Sequence, residues 1–371
     1  MIEAIRASYR DLHSVSVEAA EVYAHSTDKL LCHVNDQLEA HPKISELIGQ
    51  NPHALMRDNH RKHATLMSTV FKINSFELLV QSVPWMFRAY HARGFSYDYF
   101  FVELVAWQIA VHECLGQQVQ KAEILAVYTW LAQHHENMIL LSRSGVDSAN
   151  SVQLKADEMQ RSFLLLFMSG DSQSCFSFID QSIYTPDDVK HFYLDVVWPV
   201  MCRIGHMWVS NQISVAEEHL ATAIVSNIMG SLYRRFAPFP VTRGQAVVSA
   251  GPNELHEIGA RMVADLMEMD GWDVTYVGAN TQDSELLDIL KQQKPFVLAL
   301  SVATIFNLQK VRSLLNRINI DPETVGIKTI VGGSAFSGMP LLWQEIGADG
   351  YAADVGSAIQ VCNTWWMELK G

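Results

Sequence analysis

The stretch Ala250-Gly251-Pro252-Asn253-Glu254-Leu255-His256-Glu257-Ile258-Gly259 decides the fold of the C-terminal part of this chain. It lies where a short apolar run, 245–249, gives way to a helical pattern over 256–267. A histidine at such a turn stands at the carboxyl edge of a parallel sheet, where open α/β folds place their ligands. The neighbouring carboxylate can orient the imidazole, and Gly259 lets a bulky group lie close. We expect His256 to bind a metal that sits in a large flat ring, although a lone histidine near a helix start is more commonly a surface or capping residue.

Short apolar strands alternate with amphipathic helices through the rest of 243–371. This alternation predicts a parallel sheet covered on both faces. Ser301 ends one apolar run and Gly332-Gly333-Ser334 ends the next, so small residues at adjacent strand ends would admit a long, nucleotide-like tail. The expected strands are 246–249, 273–277, 296–301, 328–331 and 350–352, and the expected helices are 256–267, 283–292, 308–316, 340–346 and 355–367.

Residues 243–371 resemble the cobalamin-binding domain, an α/β Rossmann-like (flavodoxin-like) fold with the signature Asp-x-His-x-x-Gly, Ser-x-Leu and Gly-Gly. This chain has Glu254-x-His256-x-x-Gly259, Ser301-Val302-Ala303 and Gly332-Gly333. The resemblance implies that His256 replaces the cofactor's own base as the lower cobalt ligand and that the tail is buried in the domain. Glu254 in place of Asp is expected for the light-sensing branch, and Ala303 in place of Leu reshapes the tail pocket. The implied cobalamin contacts here are Glu254, Leu255, His256, Glu257, Ile258, Gly259, Ser301, Ala303, Thr304, Gly332, Gly333 and Ser334.

The region 152–236 reads as a four-helix bundle, with helices expected at 152–168, 171–181, 186–211 and 214–236. Trp208 is followed after nine residues by Glu218-His219. Taken singly, an aromatic residue at a bundle seam is usually core and a Glu-His pair is usually solvated. Trp-x9-Glu-His ahead of a cobalamin domain, however, resembles adenosylcobalamin-dependent photoreceptors, which are related to light-dependent repressors. The resemblance implies that Trp208 walls the adenosine and that Val215, Glu218 and His219 contact it.

The residue at one position differs from the one found in the repressors. In that group a histidine follows the tryptophan and captures cobalt after light removes the adenosyl group. Here the residue is Val209. His206 is the nearest imidazole, but residues on a helix turn by about 100° each, so it points elsewhere. We expect water, or a histidine brought in by rearrangement, as the upper ligand after light.

Residues 1–145 are helical by periodicity and hold 11 of the 15 histidines. His60 and His63 lie one turn apart on one expected helix face. Three interpretations stay open for this domain: a helical dimerisation domain with surface histidines, a haem globin with a ligand such as His112, and a globin-like bilin-binding domain.

The third interpretation comes from resemblance to photocobilins, in which a globin-like domain holds biliverdin near the corrinoid. A bilin needs cations or donors for its propionates, a polar group near its pyrrole nitrogens, and aromatic walls. Arginine suits the propionates because its fork binds a carboxylate through two hydrogen bonds. The candidate bilin contacts are His60, Arg61, His63, Trp85, Phe87, Arg88, Tyr90, Arg93, Tyr97 and Asp98.

Composition restricts the function further. The net charge of −13 argues against DNA binding, which needs a basic face. Five cysteines without Cys-x-x-Cys spacing, no signal peptide and no long apolar run predict a cytoplasmic protein that does not span a membrane.

We therefore expect a non-enzymatic light sensor that uses adenosylcobalamin and biliverdin and works as a light-dependent homo-oligomer, a dimer, with an unidentified effector protein. The competing class is a corrinoid carrier for methyl transfer, which typically has Asp at position 254 and lacks the Trp-x9-Glu-His pattern. An adenosylcobalamin mutase is disfavoured because no barrel domain is evident.

Overall fold

The computed structural model describes residues 2–116, 118–144, 158–339 and 341–370. The described residues form two compact units, one from those up to 144 together with 209–211 and the other from the remaining ones between 158 and 370. Within these ranges, no helix combines the length and apolar character needed to cross a membrane.

The N-terminal unit is helical, as the periodicity predicts. Aromatic side chains fill its core, with Tyr23, Tyr99, Trp107 and Tyr128 fully buried. Whether the domain is a globin stays a prediction. Its helices are α1 (Ile2–Tyr9), α2 (Val17–His25), α3 (Thr27–Glu39), α4 (Ile44–Ile48), α5 (His53–Ile73), α6 (Glu77–Ala92), α7 (Tyr97–Cys114), α8 (Gln118–Gln133) and α9 (His135–Ser144).

A helical cap precedes the sheet in the second unit, and its third predicted helix, 186–211, is not uniform. A π-helical turn, Phe192–Val197, interrupts it. Pro199 has no N–H to give the Asp195 carbonyl, and the Gln160 amide donates to that carbonyl instead (2.6 Å). Residues 152–157 of the first predicted helix lie outside the described residues. The cap helices are α10 (Glu158–Ser169), α11 (Ser172–Ser182), α12 (Pro186–His191), α13 (Trp198–Val209) and α14 (Val215–Phe236).

The C-terminal residues form a five-stranded parallel sheet of order β2-β1-β3-β4-β5. This is the flavodoxin-like order, whose switch point lies between β1 and β3. All five strands fall where the sequence predicts them. The strands are β1 (Gln245–Ala250), β2 (Asp273–Gly278), β3 (Val297–Ser301), β4 (Lys328–Gly332) and β5 (Gly350–Ala352).

Four helices of this domain differ from their predicted bounds by two residues or more: those predicted at 308–316 and 355–367 extend to Ile320 and Lys370, and the other two are described next. The helix predicted from 256 begins at Ile258, so His256 lies in the loop before it. The predicted helix 340–346 is only the single turn Leu342–Glu345, and Pro340 lies outside the described residues. The helices are α15 (Ile258–Met269), α16 (Asp283–Gln293), α17 (Leu308–Ile320), α18 (Leu342–Glu345) and α19 (Val355–Lys370).

A buried polar cluster joins the cap to α15. The Tyr193 hydroxyl, on the π-helical turn, donates to Asp265 Oδ2 (2.8 Å). Arg261 Nε donates to the other carboxylate oxygen (2.7 Å), and its guanidinium lies over the rings of Tyr233 and Tyr276. Since α15 begins two residues after His256, this cluster holds the cap against the helix that follows the loop of the candidate ligand.

Gly333 provides a test of the sheet edge. Its φ is +100°, and a Cβ there would lie 2.4 Å from the Val302 carbonyl oxygen. We expect Gly333→Ala to lower the free energy of unfolding by about 3 kcal/mol or more, because it combines backbone strain with a clash against rigid backbone. Urea unfolding measures this loss.

Gly326→Ala is the matched control, because a Cβ at Gly326 would meet nothing within 4 Å. Its effect should stay within about 0.5 kcal/mol. Equal stability of both variants would contradict the described packing of β4 against the loop after β3.

Candidate functional site

The carboxylate of Glu254 is buried at the carboxyl edge of the sheet, between the loops that follow β1 and β3. Its side chain is 1% exposed. Oε2 accepts hydrogen bonds from the backbone N–H of Ala303 (3.0 Å) and Thr304 (2.9 Å) and from the Asn307 amide (3.2 Å). Oε1 accepts from the Leu255 N–H (3.1 Å), the Thr304 hydroxyl (3.3 Å), and both the backbone N–H and Nδ1 of His256. A buried carboxylate with so many donors is held as the anion.

This anion fixes the orientation of His256. Burial alone would raise the pKa of Glu254, but its hydrogen bond to His256, the charge of that histidine and the backbone N–H groups outweigh burial and lower the pKa to about 2. In turn, the hydrogen bond to Glu254 raises the pKa of His256 against the effect of burial. Because Nδ1 is engaged by Glu254, Nε2 is the nitrogen that can coordinate a metal.

The surroundings of His256 suit a large flat ligand. Its side chain is 66% exposed, and the apolar Leu255 beside it is 73% exposed. The exposed apolar side chain next to a pre-oriented imidazole would be covered by a ring whose metal the imidazole binds.

A narrow apolar cavity of about 90 Å³ opens beside this loop, between the sheet and the helices. Gly259, Ser301, Gly332 and Gly333 line it, together with cap residues that include Trp198. A Cβ at Gly259 would lie 3.1 Å from the Ser301 hydroxyl, and one at Gly332 would lie 2.8 Å from the Ala352 carbonyl oxygen. The glycines therefore keep open the slot that the sequence predicts for a tail.

One face of α14 lies toward the His256 loop. Glu218, Thr222 and Ser226 follow each other at four-residue intervals, so they share a face. The charge of Glu218 contributes to the raised pKa of His256, and the Ser226 hydroxyl donates to Glu257 Oε1 (3.1 Å). The Thr222 hydroxyl donates to Glu218 Oε1 (3.0 Å), which fixes that carboxylate.

The other predicted cap contacts differ in how far they are buried. Trp208 is half-buried at the C-terminal end of α13 and packs with Ile258 against the cap core. Val215 is 50% exposed, and the His219 side chain is 74% exposed. The structure thus brings Glu218 and Ile258 close to the His256 loop and leaves His219 in solvent.

Sequence reasoning missed Asn307 and Thr222. Asn307 lies four residues beyond the Ser-Val-Ala segment, and only the folded loop brings its amide to Glu254. Thr222 has a signal in the sequence, since it stands one helical turn after Glu218.

The residues fit a cobalt that arrives in a corrin ring. No group of three or more His, Cys, Asp or Glu side chains among the described residues is arranged to hold a metal ion by itself. A ring that supplies the equatorial nitrogens needs one axial protein ligand, and an exposed imidazole oriented by a buried carboxylate provides it.

The predicted bilin contacts range from exposed to buried. Arg61 and Asp98 are exposed on their helices, and Trp85 is half-buried. Arg88 Nε donates to the Ser142 carbonyl (2.9 Å) and Arg93 Nη1 to the Ala89 carbonyl (2.6 Å), so both arginines help to hold local backbone.

The aromatic candidates are held by neighbouring side chains. Phe87 stacks on Phe100 with centroids 4.0 Å apart, and Tyr97 stacks on His91 at 3.8 Å. The Tyr90 hydroxyl donates to Asp58 (3.5 Å). His112, the haem candidate, is exposed near the end of α7. An iron atom bound to it would therefore not be shielded from solvent by burial of this side chain.

The buried face of α5 carries a polar cluster that the sequence shows only in part. His60 and His63 share this face, as their spacing predicts, and both are buried. His60 donates from Nδ1 to the Asn35 side chain (2.6 Å) and accepts at Nε2 from Tyr99 (2.9 Å). Burial lowers its pKa to about 4, so His60 is neutral.

The second half of this cluster contains Asn59, His63 and Glu103, which are all buried. The Asn59 amide donates to Glu103 Oε2 (3.0 Å), and Trp107 stacks on His63 with ring centroids 5.0 Å apart. Burial lowers the pKa of His63 to about 3 and raises that of Glu103 to about 7. Asn59 Oδ1 and His63 Nε2 have no hydrogen-bond partner among the described residues. The sequence contains a signal for Glu103, because it is a charged residue within the apolar run of α7.

Two family models match the second unit. Residues 244–360 match the B12 binding domain, and residues 159–233 match a second B12 binding domain. These ranges cover the parallel sheet with its helices and the helices that precede it. The second unit is a cobalamin-binding domain with a helical cap.

Known relatives of the cobalamin-binding part are regulators and corrinoid proteins. The HTH-type transcriptional repressor CarH of Myxococcus xanthus is 24% identical over 192 residues, which are 52% of this chain and 63% of CarH. The HTH-type transcriptional repressor CarA of the same organism is 33% identical over 115 residues, 31% of this chain and 38% of CarA. The methanol–corrinoid protein of Methanosarcina barkeri is 28% identical over 79 residues, 20% of this chain and 31% of that protein. The chain spans less than two thirds of the length of each relative.

Two solved cobalamin-binding structures are similar to this chain at 18% identity. The monomethylamine corrinoid protein of Methanosarcina barkeri has a TM-score of 0.47, with 56% of this chain and 95% of that chain covered. A cobalamin-binding protein from Desulfitobacterium hafniense DCB-2 has a TM-score of 0.32, with 55% and 97% covered.

The raised pKa of Glu103 makes a prediction about stability. The usual pKa of a glutamate is near 4.5 and its folded value here is about 7, so the contribution of Glu103 to stability is complete below pH 4.5 and is lost as the pH rises toward 7. Glu103→Gln should therefore gain stability relative to the native chain across that window, by on the order of 1 kcal/mol per pH unit. Urea unfolding of both proteins at several pH values measures the difference. A constant difference from pH 4.5 to 7 would show that Glu103 is ionised in the folded protein.

Proposed function

We propose that this chain is a light sensor that uses adenosylcobalamin, with His256 as the lower cobalt ligand, and that it is not an enzyme. The observation that carries the proposal is the anionic Glu254 holding His256 Nδ1 beside a glycine-lined slot. The cap face that bears Glu218 lies near the same loop, so one ligand could contact both elements.

Bound adenosylcobalamin supplies a cobalt–carbon bond that visible light breaks. In this proposal, Trp208 gives the adenosine an apolar wall, and Glu218, fixed by Thr222, accepts hydrogen bonds from it. These contacts exist only while the adenosyl group is present, so they stabilise the dark position of the cap over the α/β domain. Once they are lost, the cap moves and carries the signal as a change of conformation or oligomeric state.

The net charge of the chain bears on which partners the sensor could have. A net charge of −13 disfavours contact with a phosphate backbone, and we propose a light-dependent homodimer that acts on an effector protein rather than on nucleic acid. Size-exclusion elution that is identical in the dark and after light would overturn the oligomer switch.

The direct test is an absorption spectrum of the chain reconstituted in the dark with adenosylcobalamin, recorded before and after green light. We expect a light-dependent change in the corrinoid bands. Trp208→Ala should weaken retention of adenosylcobalamin by about tenfold or more, because a buried aromatic contact of this kind contributes on the order of 1–3 kcal/mol. Retention of aquocobalamin, which has no adenosine, should change little.

Trp343→Ala is the matched control, since Trp343 is half-buried like Trp208 but lies on α18 and does not line the slot. If Trp208→Ala and the control retain adenosylcobalamin equally well, or if the native chain shows no preference for the adenosyl form, the sensor proposal is wrong.

A methyl-carrying corrinoid protein is the second candidate, and the similarity to the methanol–corrinoid protein favours it. Such a carrier would bind methylcobalamin and adenosylcobalamin alike and would exchange its methyl group with a partner methyltransferase. A preference for the adenosyl form separates the two functions.

For the N-terminal domain we propose biliverdin as a second chromophore. The observation that supports it is the pair of buried acceptors, Asn59 Oδ1 and His63 Nε2, next to the Glu103 carboxyl. Pyrrole N–H groups are donors that such acceptors would bind, and Trp107 and Tyr128 provide flat apolar surfaces nearby.

His63→Leu tests this site, because leucine keeps the apolar volume and removes the acceptor. We expect the native chain to retain biliverdin with a far-red band and His63→Leu to lose affinity by about tenfold, the effect of one buried hydrogen bond to an unpaired group. Thr65→Ala, on the exposed face of α5, should bind normally. Undiminished binding by His63→Leu would exclude the site, and a Soret band that His63→Leu abolishes would indicate haem.

A further inference from the structure

Two cysteines of the N-terminal domain, Cys32 and Cys114, lie on helices that pack against each other. Cys32 is near the middle of α3, and Cys114 is the last residue of α7. The two helices are in extensive contact, and α3 buries Leu30, Val34 and Leu38 among its neighbours. The backbone that carries the two thiols is therefore held in place by a packed core.

The residues next to the two cysteines form an ion pair. His33 Nε2 lies 3.2 Å from Glu113 Oε2, where His33 follows Cys32 and Glu113 precedes Cys114. The charge of Asp36 raises the pKa of Cys32, and the charge of Cys114 adds to this effect, which weakens with distance. Both observations place the two sulfur atoms near each other.

The pair is accessible from solvent. Cys32 is exposed, and Cys114 is half-buried at a helix end, where the last turn of a helix frays and adjusts most easily. Cys175 and Cys362, by contrast, are buried in the second unit. A small oxidant in solution therefore reaches Cys32 more readily than it reaches these two thiols.

We propose that Cys32 and Cys114 form a reversible disulfide that joins α3 to α7. The co-reactant is a low-molecular-weight disulfide such as oxidised glutathione. The Cys32 thiolate attacks one glutathione sulfur and releases a glutathione thiolate, and the Cys114 thiolate then attacks the Cys32 sulfur and releases the second. Two cysteine thiols are oxidised, one glutathione disulfide is reduced, and the two cysteine protons end on the released glutathione thiols. This inference does not rest on the proposed function.

Asp36 controls how readily the reaction starts. The Cys32 thiol donates to Asp36 Oδ2 (3.6 Å), and the carboxylate raises the pKa of this thiol. Less thiolate is then present near neutral pH, so the first attack is slow. A thiolate of raised pKa is also a poor leaving group, so the disulfide is slow to be reduced once it has formed.

The disulfide would hold two helices that border the buried polar cluster. Asn35 of α3 is hydrogen-bonded to His60, and Trp107 of α7 stacks on His63. The bond closes the loop 32–114, which contains α4, α5 and α6. A long closed loop removes much conformational freedom from the unfolded chain. Oxidation should therefore stabilise this domain.

Mass spectrometry of the full chain tests for the disulfide. The reduced chain is incubated with oxidised glutathione, alkylated and digested with trypsin without reductant. Trypsin cleaves after lysine and arginine, so Cys32 lies in peptide 30–43 and Cys114 in peptide 94–121. We expect these two peptides to be linked and two of the five thiols to be lost. Dithiothreitol should restore both thiols.

Three cysteine variants and one aspartate variant test the assignment. Cys32→Ser and Cys114→Ser should each abolish the linked peptides. Cys202→Ser is the matched control, because Cys202 is half-buried like Cys114 but lies on α13, and it should crosslink like the native chain. Asp36→Asn should speed crosslinking about threefold, since the gain in thiolate outweighs the loss of nucleophilicity.

Thermal unfolding measures the effect on the domain. The crosslinked chain should unfold about 5 °C or more above the reduced chain. Oxidised glutathione should leave the unfolding temperature of Cys114→Ser unchanged. An equal unfolding temperature for the crosslinked and reduced chains would show that the bond does not join the two helices in their folded positions.

Two results would overturn the proposal outright. One is glutathione attached to Cys32 without any linked peptides, which would mean that Cys114 does not reach the mixed disulfide. The other appears when unlabelled and ¹⁵N-labelled chains are oxidised together. Linked peptides that combine one labelled and one unlabelled partner would show that the bond joins two chains rather than two helices of one chain.

Discussion

The buried carboxylate of Glu254 is the group on which the candidate site depends. Removing a charge from water is costly, and here seven donors from two segments of the chain compensate for it. Because the donors come from the loops after β1 and β3, the carboxylate ties together both sides of the topological switch point. The orientation of His256, its raised pKa and the choice of Nε2 as the free nitrogen all follow from this one group.

The cap is held to the α/β domain in two chemically different ways. The Tyr193–Asp265–Arg261 cluster is largely buried and does not involve any ligand. The contacts near His256, by contrast, come from one face of α14 and include a hydrogen bond from the Ser226 hydroxyl to the Glu257 carboxylate. A ligand bound at His256 would therefore lie beside this second attachment and would not contact the Tyr193–Asp265–Arg261 cluster.

Much of the α/β domain is predictable from sequence because its strands are short apolar runs with turn residues at their ends. The π-helical turn is not, because its Asp195 carbonyl is bonded by Gln160, a residue 35 positions earlier that the local sequence pattern does not connect to it. The predicted start of α15 is two residues early: the helix begins at Ile258, and in the loop before it the N–H groups of Leu255 and His256 both donate to Glu254. The hydrogen bond from Asn307 to Glu254 is also not predictable from sequence, because only the folded loop brings the two side chains together. In the N-terminal domain, the periodicity predicts the helices but cannot pair Asn59 with Glu103, which are 44 residues apart.

The most direct measurement is electron paramagnetic resonance of the chain loaded with cobalt(II) cobalamin, after growth with ¹⁵N-labelled histidine. We predict that one nitrogen of His256 binds the cobalt axially, so the three-line splitting of an unlabelled sample becomes a two-line splitting. His256→Ala should lose this dependence on the label. A three-line pattern that persists with labelled histidine would mean that the cofactor's own base is the ligand, and would contradict the roles of His256 as the cobalt ligand and of Glu254 as its support.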